Sequence, residues 1–225
     1  MTRIQHADAV RVAHPRLVAA TIRVDEITAA SDVREQVRPY ADAARRRLGE
    51  QPVSEFPEIR AWRRAFAEMG LKPTQYRCAA EALLRRLNTA GDLPRIHPLV
   101  DLCNHLSVAF ATPVAALDLA RITGDIDVRP ATGDERYLAF SGEVEHPAPG
   151  EIIFADAGGN AHARRWTNRQ SALSAISDTT TDAIIVIEAL HPDAERDIAA
   201  LTTDLARELR GTWRTEPVVE VITRP

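Results

Sequence analysis

Apolar residues recur with a helical period in the first half of the chain and in short, turn-bounded runs in the second. In VSEFPEIRAWRRAFAEMG, Ile59, Trp62, Phe66 and Met69 follow at steps of three, four and three, which puts them on one stripe of a helix ending at Gly70. Such a stripe is core. YRCAAEALLRRLNTAG buries Ala80, Leu83, Leu84 and Leu87 by the same rule and stops at Gly91. PLVDLCNHLSVAF carries Leu99, Leu102, Cys103, Leu106 and Phe110 on its inner face, with Pro98 in its first turn. These three helices are expected to pack together.

Upstream, RLVAATIRV at 16–24 is rich in β-branched residues and predicts a strand. A helix is expected from about Ser31, N-capped by Ser31 or Asp32 and closed by Gly49, with Pro39 kinking or dividing it. From Gly124 the texture turns β-rich, with short segments between turn residues, and the apolar run Ala183 to Ile187 reads as a central strand covered on both faces. A last amphipathic helix follows through Ile198, Leu201, Leu205 and Leu209, and PVVEVITR supplies a final strand. The sum is an α+β fold, a mixed β-sheet packed against several helices. No linker or repeat interrupts it, so residues 1–225 read as one domain in which the first 50 or so residues complete the sheet.

Composition narrows the function classes. A chain of 225 residues with 45% hydrophobic content can bury a substantial core. With 28 basic and 32 acidic residues the formal charge is −4, so any nucleic-acid contact must be local. Lys72 is the only lysine, which leaves positive charge almost wholly to arginine. The two cysteines, Cys78 and Cys103, fall in helical segments as buried free thiols, and the seven scattered histidines form no metal-type spacing. Neither metal nor cofactor is expected. The start, MTRIQHADAV, has no leader pattern and no stretch reaches the roughly 18 apolar residues that span a bilayer, so a cytoplasmic protein is expected.

Three stretches, in order from about Gly70 to Leu190, carry a resemblance. They are GLKPTQYRCAAEALLRRL, then LPRIHPLVDLCNHLSVAFATPVAALDLARITGDIDVR, then PGEIIFADAGGNAHARRWTNRQS followed by TTTDAIIVIEAL. Together they resemble the B3/B4 tRNA-binding and editing domain of the phenylalanyl-tRNA synthetase β chain, in the form of its free-standing relatives. The resemblance implies a partner, the aminoacylated 3′ end of a tRNA, and an activity, hydrolysis of a mischarged ester in trans. A second pocket of that kind is needed because one binding site discriminates near-isosteric amino acids poorly. Two departures weaken the catalytic expectation. Ala115 stands where the synthetase domain has a histidine, and WTNRQSALSAISD replaces its glycine-rich loop. Hydrolysis would then rest on the vicinal hydroxyl of the tRNA and on fixed polar groups such as Asn104 or Ser171.

The resemblance places Asn104 beside the pocket, where its amide would hold a ligand; it could equally bridge backbone. His105 and Ser107 are not at a spacing that would pair them as base and nucleophile. Arg164, Arg165, Trp166, Arg169 and Gln170 form the densest polar and aromatic cluster, able to clamp an anion while a ring stacks on the indole, or simply an exposed hairpin. Strand alternation would turn Arg165 away from Arg164 and Trp166. Tyr76, Arg77 and Glu81 open the second helix, where Arg77 and Glu81 either form a surface ion pair or serve the pocket. Asp118 is explained by capping a short helix. Rival functions are a non-catalytic RNA-binding module and a binder of small, amino-acid-like molecules.

Overall fold

The structure is a computed structural model that describes residues 2–222. In chain order the elements are β1 (Ile4–His6), α1 (Asp8–Ala13), β2 (Val18–Val24), α2 (Arg34–Glu50), α3 (Pro57–Glu68), α4 (Ala79–Ala90) and α5 (Pro98–Phe110). Then come β3 (Val114–Asp118), β4 (Ile126–Pro130), β5 (Tyr137–Leu138), β6 (Val144–Glu145), β7 (Ile152–Asp156), β8 (Ala161–Arg164) and β9 (Arg169–Gln170). Last are β10 (Ala183–Ala189), α6 (Ala194–Trp213) and β11 (Val218–Ile222); Thr223 and Arg224, expected in the final strand, lie outside the described residues.

The fold is α+β, and its strands divide into two larger sheets and a short hairpin. One sheet runs β11-β2-β10-β3, all antiparallel. The other runs β1-β4-β7-β8-β9, mixed through the parallel pair β1 and β4. β10 is central, and all seven of its residues are buried because each face has its own core. Ala183, Ile185, Ile187 and Ala189 join the core under α2, α5 and α6, whereas Ile184 and Val186 join a second core with α3, α4 and the other sheet. Alternation along one strand thus makes β10 the wall between two cores.

Several local expectations shift by a few residues, each for a visible reason. α2 runs unbroken through Pro39, which is exposed along with Glu35, so the carbonyl that the proline leaves without a partner can be hydrated. Its end is Glu50 rather than Gly49. The N-cap position is Val33, neither Ser31 nor Asp32, although Asp32 Oδ1 accepts the main-chain N–H of Arg34 at 3.0 Å from just outside the helix. In α3 the stripe Ile59, Trp62 and Phe66 is fully buried, and Met69 is its C-cap. α4 begins only at Ala79, which leaves Tyr76, Arg77 and Cys78 outside the helix. Ala79 donates its N–H to Thr167 O at 2.8 Å and Arg77 O accepts from the Asn168 amide at 2.7 Å, so the approach to α4 is pinned to a distant loop. Gly91 ends α4 at φ 78°, a left-handed value that suits glycine. Pro98 opens α5, and the His97 ring caps it by accepting from Leu99 N at 3.1 Å. Among the described residues no helix is long and apolar enough to cross a membrane.

Candidate functional site

The turn after β8 shapes the site. Arg165 and Trp166 do not continue the strand; both are left-handed, at φ 49° and 57°, a conformation bulky residues seldom adopt unless the surroundings impose it. Three hydrogen bonds impose it here. Trp166 N donates to Ile152 O at 2.7 Å, Arg165 N to Glu151 Oε1 at 3.0 Å, and Asn168 N to Arg165 O at 3.2 Å. The turn drives the Trp166 ring inward, where it is fully buried between Trp62 and His14, each 4.9 Å away by ring centre. The expectation that alternation sets the facing of Arg165 and Trp166 fails, because the chain has already left the strand.

Inside, Trp166 Nε1 donates to Glu188 Oε1 at 2.9 Å, and His6 Nε2 lies 2.6 Å from the same oxygen. Glu188 is 2% exposed, and its Oε2 has no partner among the described residues. A cavity of about 290 Å³ opens beside it, between α4, α5, β3 and the 166–170 segment. Ala82, Leu83, Leu117, Phe154 and Val186 make it apolar, while Asn104, Arg169, Gln170 and Glu188 supply its polar groups. A second compartment of about 270 Å³ shares Asn104, Val114 and Gln170 with the first.

Of the residues singled out in the sequence, the structure brings Asn104, Trp166, Arg169 and Gln170 together around this cavity. The Asn104 amide has no hydrogen-bond partner among the described residues, so it does not bridge backbone. Gln170 Nε2 donates to Ala116 O at 2.8 Å, and Arg169 reaches Glu145 at 3.3 Å. The others lie elsewhere. Ser171 is fully buried off the cavity, its hydroxyl donating to Leu138 O at 3.0 Å and accepting from Leu173 N at 3.2 Å. Arg165 lies over the Tyr76 ring at 4.9 Å, which ties the pre-α4 loop to the Trp166 turn. Glu81 is fully buried on α4 and holds Arg63 at 2.6 Å, Arg85 at 2.9 Å and Arg77 at 3.6 Å, so its pairing with Arg77 is the weakest of three.

Sequence reasoning missed Glu188, although one signal was present. A carboxylate closing an otherwise apolar strand must find partners when buried. It also missed a Ser-His-Asp array. Ser174 Oγ lies 2.8 Å from His162 Nδ1, and Asp156 Oδ2 3.1 Å from His162 Nε2. All three are buried and line neither compartment, and Asp156 is further occupied by the N–H groups of Thr123, Gly158 and Asn160. The array therefore braces the β7–β8 turn. Ser107 and His105 stay apart, bonded to Thr112 O and Asp101 O. Asp118 caps the turn after β3 through Ala120 N at 2.9 Å. Cys78 and Cys103 are buried, which pushes both thiols up to about 12. Glu58, His191 and Asp197 bring three ligand atoms within 4.8 Å, but Arg47 takes both oxygens of Glu58, and His191 and Arg196 engage Asp197.

The buried carboxylates and histidines make stability depend on pH in one direction. Burial tends to raise the carboxyls of Glu151, Glu135 and Asp156, but bonded partners outweigh it and hold all three below their ordinary values. For Glu151 the main partner is Arg164; Glu135 reaches about 2 through Thr132 N and Arg129; for Asp156 the strongest are Asn160 N and Thr123 N. Burial also lowers His14, His97, His105 and His162. In each case the unfolded chain binds protons more readily, so stability is complete above the ordinary pKa and is lost as pH falls through the folded one. The urea midpoint is therefore expected to be level between about pH 7 and 8, to slip below about 6.5 as histidines titrate, to fall steeply below about 4.5 as carboxylates follow, and to fall again above about 8.5, where the unfolded thiols ionise and the buried Cys78 and Cys103 resist it. A midpoint unchanged down to pH 4 would contradict this.

The B3/4 domain model matches residues 61–220. The phenylalanine–tRNA ligase beta subunit of Shewanella oneidensis is 38% identical over 91 residues, 40% of this chain and 11% of that protein. That of Solibacter usitatus is 34% identical over 98 residues, 43% of this chain and 12% of that protein. The match thus spans only about a tenth of the length of these relatives. The crystal structure of an N-terminal fragment of the phenylalanyl-tRNA synthetase beta-subunit from Pyrococcus horikoshii aligns with 99% of this chain and 55% of its own, at 9% identity and a TM-score of 0.47. Since the family model covers well over half of the sequence, from within α3 to within β11, the chain belongs to the B3/4 domain family.

Proposed function

We propose that the cavity receives the aminoacyl group at the 3′ end of a charged tRNA and that the protein hydrolyses the ester in trans, the 225 residues acting as one domain. The observation that carries this reading is the convergence of Asn104, Gln170, Arg169 and Glu188 on one otherwise apolar cavity. An aminoacyl ester brings an apolar or polar side chain, an ammonium and a carbonyl. The apolar walls suit the first, the Glu188 carboxylate suits a donor, and the unpartnered Asn104 amide suits the carbonyl oxygen where charge develops. Ser171 receives no part in the chemistry, because its hydroxyl is already bonded. Tyr76, Arg77 and Arg165 act by holding the cavity rim, and Glu81 by holding α4 to α3.

Release of amino acid from a panel of correctly and incorrectly charged tRNAs tests the proposal. Turnover of particular mischarged species is expected, with kcat/KM lowered about a hundredfold in Asn104→Ala if the amide faces the developing oxyanion. An unchanged rate in that variant would remove Asn104 from the mechanism. One observation favours the rival reading of a non-catalytic RNA-binding module: Ala115 lines the cavity, and no histidine does so among the described residues. Salt-sensitive tRNA binding without release of any amino acid would establish that reading, and a salt-insensitive small ligand would point to the amino-acid-like class.

A further inference from the structure

We propose that the outer face of α3, the loop that follows and the exposed side of α4 bind the phosphate backbone of an RNA strand whose end enters the cavity. The inference rests on the preceding reading for the identity of the polymer, and on charge for its place.

Residues 60–91 contain seven basic and two acidic side chains, a surplus of five in a chain of total −4, so the remainder carries −9. Of the two acids, Glu68 is exposed one turn after Arg64 and lies 3.6 Å from His14, and the other is withdrawn from the surface. Glu81 is buried beneath Arg63, Arg77 and Arg85, leaving two positive charges unmatched on guanidinium groups that remain 25% to 43% exposed. Arg60, Arg64, Lys72 and Arg86 are exposed and have no carboxylate at ion-pair distance among the described residues. Elsewhere several exposed helical arginines are matched, Arg38 with Glu35, Arg45 with Asp42, Arg196 with Asp193 and Arg207 with Asp204, whereas Arg46 on α2 has no carboxylate at ion-pair distance among the described residues.

The α4 part of the face is continuous with the cavity. Ala79, Ala82 and Leu83 line it, and Arg86 follows Ala82 by four and Leu83 by three, so it extends the same side of α4 by one turn. Arg77 is fastened to the cavity wall through Asn168. Anionic lipid fits the face less well, because the exposed large apolar side chains, such as Val12, Phe140 and Val221, lie outside this segment and nothing on it would insert into a bilayer.

The test is the salt dependence of binding of an uncharged tRNA transcript to the full chain and to Arg60→Gln/Arg64→Gln/Arg86→Gln. None of these side chains has a partner in the fold, so the variant is expected to keep the wild-type urea midpoint. Each phosphate contact contributes about 0.7 to 0.9 to the slope of log Kd against log salt. The triple variant should lose about 2 to 3 from that slope and bind about tenfold more weakly in 0.1 M salt. A matched control, Arg38→Gln/Arg45→Gln/Arg196→Gln, should bind as wild type. Equal slopes for wild type and the Arg60 set, or no tRNA binding by wild type, overturns the proposal. The two readings separate cleanly. Weakened binding in a protein that releases no amino acid leaves this surface standing and the hydrolase reading fallen; amino-acid release with unaltered KM in the triple variant does the reverse.

Discussion

Trp166→Ala is expected to lower the stability of the fold by about 4 kcal/mol, within the range for truncating a buried tryptophan. The indole is fully buried, meets Trp62 edge-on and His14 at a tilt, and donates to Glu188. Its loss leaves a cavity in the core that it shares with Trp62 and removes one of the two donors that hold a buried carboxylate, and both effects act in the same direction. Trp166→Phe keeps most of the packing and loses the N–H, so about 1 to 2 kcal/mol is expected there. Urea unfolding followed by far-UV circular dichroism measures both. Equal losses for the two variants would mean that the hydrogen bond, and not the ring, carries the stabilisation.

Arg164→Leu is expected to be nearly as damaging, about 3 kcal/mol, since removing one partner of a buried ion pair strands the other. The Arg164 side chain is 6% exposed, donates to Glu151 at 2.8 and 3.0 Å and also to Glu145, and lies over the Tyr137 ring at 5.5 Å. Glu151 additionally accepts the N–H of Arg165, so the left-handed turn that buries Trp166 depends on the same carboxylate. Without the guanidinium, burial dominates and the Glu151 carboxyl rises. The penalty should therefore shrink as pH falls through the raised value. Adding Glu151→Gln should restore part of the loss at pH 7. A double variant less stable than Arg164→Leu would show instead that Glu151 serves the turn more than it suffers from burial.

The helices were legible because their information is local. The stripe Ile59, Trp62 and Phe66, the stop at Gly91 and the proline at the start of α5 can all be read from windows of a few residues. The division of the strands into two sheets was not legible, because β propensity says that a segment is extended and nothing about which segment it joins. Trp166 shows the limit most clearly. Flanked by arginines, it suits an exposed hairpin as well as a buried anchor, and only the bonds from Ile152 and Glu151 decide the matter. Asn104 could be marked through family resemblance, yet its lack of a backbone partner is a tertiary fact. The association of Glu188 with His6 spans 182 positions and leaves no trace in either neighbourhood.

The pairing of β2 has a consequence for biosynthesis. Val18 is paired with Ala189 and Val24 with Ala183, while β11 joins the opposite edge of β2. A nascent chain emerging from the ribosome therefore presents this apolar strand long before its partners exist. The sheet can close only after β10 and β11 have been translated, which favours slow, late consolidation and prolonged exposure of an aggregation-prone segment.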